Sequence, residues 1–298
     1  VLGRNQRMHR FFRTVGYARV ESDREAREIL EDMLLRCRDA VHHIAMRNGD
    51  RLWELRAPLG DKLGIAIGGY VGEGGKLIRE RYLPYIDVDE MTSTAECMIE
   101  RHVDNEVYSG LIDDMRIGIS LIFRLTNVAE YRQQRALAKY SLPRGVALGG
   151  LSRDGKILLP VYKNDRQREL LHMTERERAR MISAAKEGDE NAMENLTNSD
   201  LRLYESVNRR LRQEDIYSIV DSCFMPDGIE CDLYVVVGEI QQISQRKNRD
   251  TGELIWDFLI RSHDLPFHVY INTLDLQGEP KVGRRFKGTV WMQGKAIW

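Results

Sequence analysis

The chain has 298 residues, with 45 Lys and Arg against 46 Asp and Glu and a formal net charge of −1. With 42% hydrophobic and 31% charged residues, it is too apolar for a disordered chain and too charged for a membrane-embedded one. Its length predicts about two domains, each able to bury a core of its own.

The N-terminal residues are basic, but no apolar stretch of signal-peptide length follows them. No uncharged apolar run approaches the roughly 18 residues that a membrane-spanning helix needs. Met8 fits a translation start better than the polar residues 1–7 that precede it. We therefore expect a cytoplasmic protein that has no membrane partner.

A helix is predicted over Ser22–Val41, where apolar residues recur at helical spacing. Glu25 stands three residues after Ser22, which is the spacing of a capping box. His42 and His43 follow the predicted end of this helix, where a cation is favourable. From about residue 50 the apolar residues alternate, which predicts an antiparallel meander. The strands of this meander are Leu52–Ala57, Leu63–Gly69 and Leu77–Leu83.

Helical and strand patterns then alternate up to residue 163. The predicted elements are a polar helix over Ser93–Asn105, a central strand over Met115–Leu125, a helix over Val128–Tyr140, and strands over Val146–Leu151 and Lys156–Tyr162. Asp154-Gly155 is typical of a hairpin turn and would join the last two strands. Residues 8–163 are therefore predicted to form an α+β domain of antiparallel sheet and packed helices.

The next segment, residues 164–213, has few apolar residues and many helix-capping signals. It is predicted to be a helical connector. Residues 164–232 hold ten basic and 16 acidic residues, a charge of −6. Because of this negative charge, we expect the segment to present the most distinctive surface of the chain.

Residues 214–298 are predicted to form a small β-barrel domain. Its predicted strands are Ile216–Phe224, Leu233–Ser244, Leu254–Ser262, Phe267–Asn272 and Arg284–Gln293. The interruption at Thr273–Gly283 resembles the point at which an OB-type barrel inserts a helix. The likeness is partial, because an OB-type barrel that begins at Leu233 needs one more strand after Gly294. The predicted fold class is thus α+β: an antiparallel-sheet domain, a helical connector and a partly OB-like barrel.

The densest polar set comprises Glu100, His102, Asp113, Asp114 and Arg116. Paired carboxylates and an imidazole are the groups with which a metal-assisted hydrolase activates water. Their spacing matches no metal-ligand signature, so no metal or other cofactor is predicted. The alternative is that these groups are solvated charges at a helix terminus and a strand entrance, with Arg101 and Arg116 pairing the acids.

Two basic clusters lie in the predicted barrel among aromatic residues. The candidate ligand-binding residues there are Arg246, Lys247, Arg249, Arg284, Arg285, Lys287 and Trp291. Cations beside exposed rings are how small barrels bind single-stranded nucleic acid. Against this interpretation, strand alternation directs about half of the rings into the core. The near-zero net charge also excludes a strongly basic nucleic-acid binder.

The four cysteines Cys37, Cys97, Cys223 and Cys231 show no metal-binding or redox spacing. We expect them to be small buried residues. The short separation of Cys223 and Cys231 allows a disulfide, but a reducing cytoplasm disfavours it.

Five stretches of the chain carry a resemblance to a known family. They are Met8–Phe12, Glu100–Phe123, Gly155–Pro160, Ile219–Gly228 and Gly278–Gly288. On these stretches the chain resembles an uncharacterised bacterial family from Gram-positive anaerobes, a domain of unknown function of about 300 residues. The resemblance implies no activity, ligand or catalytic residue.

The sequence carries no catalytic or cofactor signature, which favours a non-catalytic binding or adaptor protein. Its partner would be another protein or a second copy of the chain. This expectation rests on analogy with other small barrels. Two alternatives stay open: a metal-assisted hydrolase centred on Asp113, Asp114 and His102, and single-stranded nucleic-acid binding by the C-terminal barrel.

Overall fold

The structure is a computed structural model that describes residues 8–45, 51–101, 107–137, 142–161, 180–181, 183–184, 188–194, 221–228 and 231–298. Most of the predicted helical connector, the residue His102 and the first part of the strand predicted at Ile216 lie outside the described residues. None of the helices in these ranges is long and apolar enough to cross a membrane.

The first helix, α1 (Asp23–Arg36), starts where its capping residues predict. The Oγ atom of Ser22 accepts a hydrogen bond of 3.2 Å from the backbone N–H of Glu25. The helix does not continue to Val41, because a short 3-10 turn follows it.

Four antiparallel strands come next, paired in sequence order. They are β1 (His42–Ala45), β2 (Arg51–Gly60), β3 (Leu63–Val71) and β4 (Leu77–Ile86). The predicted meander is confirmed, with β1 as an additional strand. His42 and His43 pair with Glu54 and Trp53 of β2. The prediction that these histidines cap the end of α1 is wrong, because the chain has already turned into the sheet.

The other strands form one large sheet. Its strands and the helix between them are β5 (Cys97–Arg101), β6 (Tyr108–Ile112), β7 (Leu121–Leu125), α2 (Val128–Leu137), β8 (Gly145–Ser152), β9 (Gly155–Leu158), β10 (Cys223–Pro226), β11 (Leu233–Lys247), β12 (Leu254–Ser262), β13 (Leu265–Asn272), β14 (Leu276–Gln277) and β15 (Arg285–Ile297). The order of pairing is β10-β11-β12-β13-β8-β15-β7-β6-β5, and β9 pairs with β14 and β15 beside this path.

Two predicted elements of the N-terminal half are wrong. The helix predicted over Ser93–Asn105 contains β5, which pairs with β6. Cys97 and Ile99 alternate with exposed residues there, and alternation is a strand period. The hairpin of β8 and β9 is not formed, because both strands pair with β15, β9 against Arg285–Lys287 and β8 against Met292–Ile297.

The strand predicted over Met115–Leu125 forms only from Leu121. Gly118 before it has a φ of 75°, a left-handed conformation that interrupts extended pairing. The preceding residues form a turn, and this turn holds Asp114 and Arg116.

Five strands of the large sheet form a closed circuit of pairings. β11 pairs with β12, β12 with β13, β13 with β8, β8 with β15, and β15 pairs with β11 again. Within this circuit the β13–β8 pair is parallel and the other pairs are antiparallel. β8 comes from residues 8–163 and the other four strands come from residues 214–298. One circuit therefore combines strands from both sides of residue 163.

Two apolar cores flank the circuit. Side chains alternate along its strands, so Phe258, Phe286 and Val290 lie in a core shared with β7 and α2. Tyr270 and Trp291 lie on the opposite face, in a core completed by α1, the four-stranded sheet and the segment before α1. The mixed α+β class is confirmed, with strands as its main component.

All four cysteines are free thiols, so Cys223 and Cys231 form no disulfide. Cys97 is buried as expected, whereas Cys231 is exposed.

Candidate functional site

The segment before α1 packs its aromatic rings against β15. Phe11 is 2% exposed and stacks on Trp291, with ring centroids 5.0 Å apart and ring planes at 20°. The His9 ring lies 5.0 Å from the same Trp291 ring. Burial, together with the charges of Arg10 and Arg124, lowers the pKa of His9 to about 4. His9 is therefore neutral at neutral pH, and the stacked rings fix the backbone from which Arg10 extends.

A surface cleft of about 440 Å³ opens beside these rings, and we call it the arginine cleft. Its charged lining residues are Arg10, Arg13, Arg153, Asp154, Asp227 and Asp275. They come from the N-terminal segment, the turn between β8 and β9, the connection after β10 and the segment after β13. The volume is within the range of small-molecule sites.

Two arginines of the cleft lie over one aromatic ring. The guanidinium carbons of Arg10 and Arg153 are 5.2 and 5.6 Å from the centroid of the Phe11 ring, close enough for cation–π attraction. Burial, and then the nearby charge of Arg153, lower the pKa of Arg10. Arg153 is exposed, and no carboxylate of the described residues forms an ion pair with it. Its guanidinium is thus available to a ligand.

The acidic residues of the cleft differ in how they are held. Asp275 accepts hydrogen bonds from Nε and Nη2 of Arg13, the first at 2.7 Å, and so neutralises that arginine. Asp154 accepts a hydrogen bond of 3.3 Å from the backbone N–H of Thr289. The carboxylate of Asp227 has no hydrogen bond or ion pair to the described residues. Asp154 and Asp227 therefore place carboxylates in the same cleft as the arginine pair, and the charge of Asp227 acts to raise the pKa of Arg10.

An ionic group lies behind the stacked rings. Asp232 is 8% exposed and accepts hydrogen bonds from Nε1 of Trp291 at 2.9 Å and Nη2 of Arg124 at 3.3 Å. Within the described part of the chain, Nε of Arg124 is buried without a hydrogen-bond partner, and burial lowers the pKa of Arg124. These bonds hold Trp291 in place and, through it, the Phe11 ring.

The acidic set predicted as a hydrolytic centre contains a closed ion pair. Asp114 is 8% exposed and accepts hydrogen bonds from Nη2 of Arg116 and Oγ of Ser93, both at 2.6 Å. Burial alone would raise the pKa of Asp114, but these hydrogen bonds outweigh it and lower the pKa. The pairing of Asp114 with Arg116 agrees with the alternative interpretation, but Asp114 is buried and not a solvated charge as that interpretation expected.

The other members of that set are spread out. Asp113 accepts a hydrogen bond from Ser120 and is exposed. Glu100 lies exposed on β5, and His102 is outside the described residues. No group of three or more His, Cys, Asp or Glu residues in the described ranges could hold a metal ion.

The first predicted basic cluster lies at the end of β11. Arg246 donates a hydrogen bond of 2.8 Å to Asp257 and also pairs with Asp61 of the turn between β2 and β3. Lys247 and Arg249 are exposed beside it. Arg246 therefore joins the two sheets through its ion pairs.

The second predicted basic cluster lies at the start of β15. Arg284 donates to the carbonyl oxygen of Glu279 at 2.7 Å. Arg285 is 4% exposed and donates to the carbonyl oxygen of Leu159. Lys287 follows it on the strand, whereas Trp291 is buried at 3% exposure. Arg285 and Trp291 are therefore both buried, and only Arg284 and Lys287 of this cluster are partly exposed.

The two clusters are also far apart. Arg285 lies opposite Glu239 on β11, and Arg246 lies seven residues further along the same strand. At about 3.3 Å per residue, the separation along β11 is roughly 20 Å. A single small ligand cannot contact both clusters.

A second polar network, which the sequence patterns do not identify, is centred on Asp257. This residue is 2% exposed. Its Oδ2 accepts hydrogen bonds from Ser244 at 3.0 Å and from Arg246, and its Oδ1 lies 2.6 Å from Nδ1 of His268. One feature of the sequence could have indicated this network: Asp257 is the only acidic residue in the mainly apolar strand Leu254–Ser262.

The arginine cleft has a weaker signal in the sequence. Arg10 lies next to two phenylalanines, a sign that the segment is anchored, but its partner Arg153 lies in a turn far along the chain. The pairing of β8 and β9 with β15 brings this turn to the N-terminal segment, where the Thr14 hydroxyl donates to the carbonyl oxygen of Ser152.

A family model described as "Domain of unknown function, E. rectale Gene description (DUF3881)" matches residues 12–294. This match confirms the resemblance found in the sequence. No curated protein and no solved structure matches the chain significantly.

Proposed function

We propose a function for this chain, which belongs to the DUF3881 family of domains of unknown function: it is a non-catalytic binding protein, and the arginine cleft is its ligand site. The ligand is a small molecule that carries a phosphate or carboxylate group. One observation carries the proposal. Arg153 lies over the Phe11 ring beside Arg10 and has no acidic partner among the described residues.

The chemistry of the two arginines supports an anionic ligand. A guanidinium group presents a planar set of donors that matches phosphate and carboxylate oxygens. Holding two such groups over one ring costs electrostatic repulsion, which an anion between them relieves. Stacking on Trp291 holds the Phe11 ring rigidly, so little ordering is required on binding.

The two alternatives have less support. In the hydrolase interpretation, Asp114 would have to release Arg116 and Ser93 before it could hold a metal ion. In the nucleic-acid interpretation, Trp291 would have to stack a base although it is buried. The arginine cleft requires no such rearrangement.

We also infer that the five-strand circuit is an OB-like barrel. An OB-type barrel that begins at β11 lacks a strand after Gly294, and β8 lies where that strand is required, between β13 and β15. Barrels of this type commonly serve recognition, which agrees with a binding role. The four cysteines are free thiols, which suits the cytoplasmic location that we propose.

Ethyl phosphate is a simple probe of the cleft. We expect it to shift the Nε–Hε signals of arginine in an NMR titration of the full chain. Arg153→Ala should weaken its affinity about tenfold, because a charge-assisted hydrogen bond is lost. Arg249→Ala is the matched control, since Arg249 is also exposed but lies outside the cleft.

Two results would overturn the proposal. One is equal affinity of the wild type and Arg153→Ala, or no binding to either. The other is release of inorganic phosphate from ethyl phosphate above the level seen with Arg153→Ala, which would mean that the protein is an enzyme.

A further inference from the structure

A second pocket, of about 340 Å³, lies between the β11–β12 turn and the segment before α1, and we call it the Glu253 pocket. It shares no lining residue with the arginine cleft. Its volume is within the range of small-molecule sites, so a second ligand fits here. The lining residues are Tyr17, Arg19, Val20, Thr251, Gly252 and Glu253.

Buried hydrogen bonds hold the walls of this pocket in place. Asn248 of the turn is fully buried, and its Nδ2 donates to the carbonyl oxygen of Val15 at 2.8 Å. The hydroxyl of Thr251 donates to the carbonyl oxygen of Gly16 at 2.7 Å. Tyr17, on the facing segment, is only 3% exposed. Because both walls are fixed by the fold, binding of a ligand requires little ordering of the protein.

Glu253 is anchored through one of its two carboxylate oxygens. Its Oε2 accepts hydrogen bonds from the backbone N–H of Ala18 at 3.0 Å and from Nδ2 of Asn272 at 2.7 Å. Its Oε1 makes no hydrogen bond to the described residues and is accessible to solvent. The charge of Glu253 also acts on Arg13, although the hydrogen bond to Asp275 is the main cause of the raised pKa of that arginine. The second oxygen of Glu253 is thus left as an acceptor for a ligand.

Arg19 contributes the opposite charge to the same pocket. It is exposed, and within the described ranges it makes no hydrogen bond, ion pair or ring contact. Arg19 and Glu253 line one pocket without pairing with each other. A guanidinium group binds a carboxylate through two parallel hydrogen bonds. The pocket therefore offers a carboxylate-binding group and an ammonium-binding group at the same time.

The rest of the lining is mainly apolar. Val20 is partly buried and packs against the core that contains α1 and the four-stranded sheet. Tyr17 contributes an aromatic ring, and Gly252, with a φ of 76°, has no side chain to fill the space. A surface of this kind suits an aliphatic group.

We propose that the Glu253 pocket binds a free α-amino acid with an aliphatic side chain. The carboxylate of the amino acid binds Arg19, its ammonium group binds Oε1 of Glu253, and its side chain lies against Val20 and Tyr17. Complementary charges at both ends favour such a ligand over a simple acid or a simple amine. This site is additional to the arginine cleft and does not depend on the function proposed for that cleft.

Leucine and two analogues form a matched set of probes. 4-Methylpentanoic acid lacks only the ammonium group of leucine, and 3-methylbutylamine lacks only its carboxylate. In NMR titrations of the full chain, we expect leucine to shift the amide signals of Val20 and Gly252. Leucine should bind about fivefold more tightly than either analogue, as one exposed ion pair provides.

Two variants assign the ends of the ligand. Arg19→Ala should weaken the binding of leucine about fivefold and leave that of 3-methylbutylamine unchanged, because the amine has no carboxylate. Glu253→Gln keeps an acceptor for Ala18 and Asn272, and it should weaken the binding of leucine but not that of 4-methylpentanoic acid. Arg38→Ala is the matched control, since Arg38 is also exposed but lies outside the pocket. Unchanged amide spectra outside the pocket would show that the variants fold.

Three results would overturn the proposal. They are the absence of shifts at Val20 and Gly252 with leucine, equal affinity of the wild type for leucine and both analogues, and unchanged binding of leucine by Arg19→Ala. Because Arg19 makes no contact with the described residues, the last of these tests is independent of any effect on folding. Binding of ethyl phosphate to the arginine cleft is measured separately, so the two proposals succeed or fail independently.

Discussion

The Nδ1 atom of His268 lies 2.6 Å from Oδ1 of Asp257, a carboxylate that is almost completely buried. An ionised carboxylate can only accept hydrogen bonds, so Nδ1 of the imidazole is the donor in this contact. Arg246 and Ser244 donate to the other oxygen of Asp257. One buried charge therefore joins β11, β12 and β13, and through Arg246 it also contacts the four-stranded sheet at Asp61.

Removing the charge of Asp257 should destabilise the fold. Asp257→Asn leaves Arg246 without its buried counterion, and we expect the free energy of unfolding to fall by about 3 kcal/mol. Asp61→Asn is the control, because Asp61 pairs with the same arginine but is 67% exposed. The control should lose less than about 1 kcal/mol. Equal losses in urea denaturation would contradict the assignment of Asp257 as the central charge.

The same carboxylate should contribute to acid stability. Burial would raise the pKa of Asp257, but hydrogen bonds from His268, Arg246 and Ser244 outweigh it and lower the pKa below the ordinary value of 3.8. The folded state therefore favours the charged form. Its stabilisation is complete above that ordinary value and is lost as the pH falls through the lowered pKa. Asp257→Asn should show a flatter stability curve in this acidic range.

His9 should act in a different pH range. Its pKa falls from 6.5 to about 4 on folding, chiefly because of burial, so the folded state favours the neutral ring. Unfolded chains bind a proton first as the pH falls below 6.5, and stability declines until the pH reaches the folded value. Between pH 7 and about 4.5 the wild type should lose about 2 kcal/mol more than His9→Gln. Parallel curves from chemical denaturation would contradict this prediction.

Gln293 should be a key contact between the two sheets. It is 1% exposed on β15, its Oε1 accepts a hydrogen bond of 3.1 Å from the Ile86 N–H, and its Nε2 donates to the Pro84 carbonyl at 2.8 Å. Gln293→Met keeps the volume but leaves both backbone groups of β4 buried and unpaired. We expect a loss of about 3 kcal/mol in thermal or urea unfolding. Gln277→Met, at an exposed position of β14, should change stability little; a similar loss there would mean that the bonds of Gln293 are not responsible.

The position of β8 predicts how fragments of the chain behave. Residues 8–163 alone lack β13 and β15, the two neighbours of β8, and residues 214–298 alone lack β8 itself. Each fragment should therefore give a poorly dispersed amide NMR spectrum, and mixing the two should restore dispersion. Independent folding of either fragment would show that the predicted domain boundary at residue 163 also separates stable units.

The spacing of apolar and capping residues along the sequence was sufficient to predict several strands and helices. Leu254–Ser262 forms a strand with the predicted bounds, and Ser22 caps α1 as its spacing from Glu25 predicts. These features depend on residues close together in sequence, where propensity and side-chain period act directly. A helix was wrongly predicted for the polar stretch Ser93–Asn105. The stretch contains the strand β5, because pairing with β6 outweighed a weak helical pattern.

The sequence by itself determined that the chain is a mixed α+β protein, rich in alternating strands and nearly neutral in charge. Only the tertiary structure decided that β8 lies between β13 and β15, and that Arg153 meets Arg10 over the Phe11 ring. The physical reason is that alternation specifies which face of a strand is apolar and leaves its partner strands open. Long-range pairing depends on how all the apolar faces are buried together, and the charges of the arginine cleft are brought together as a result.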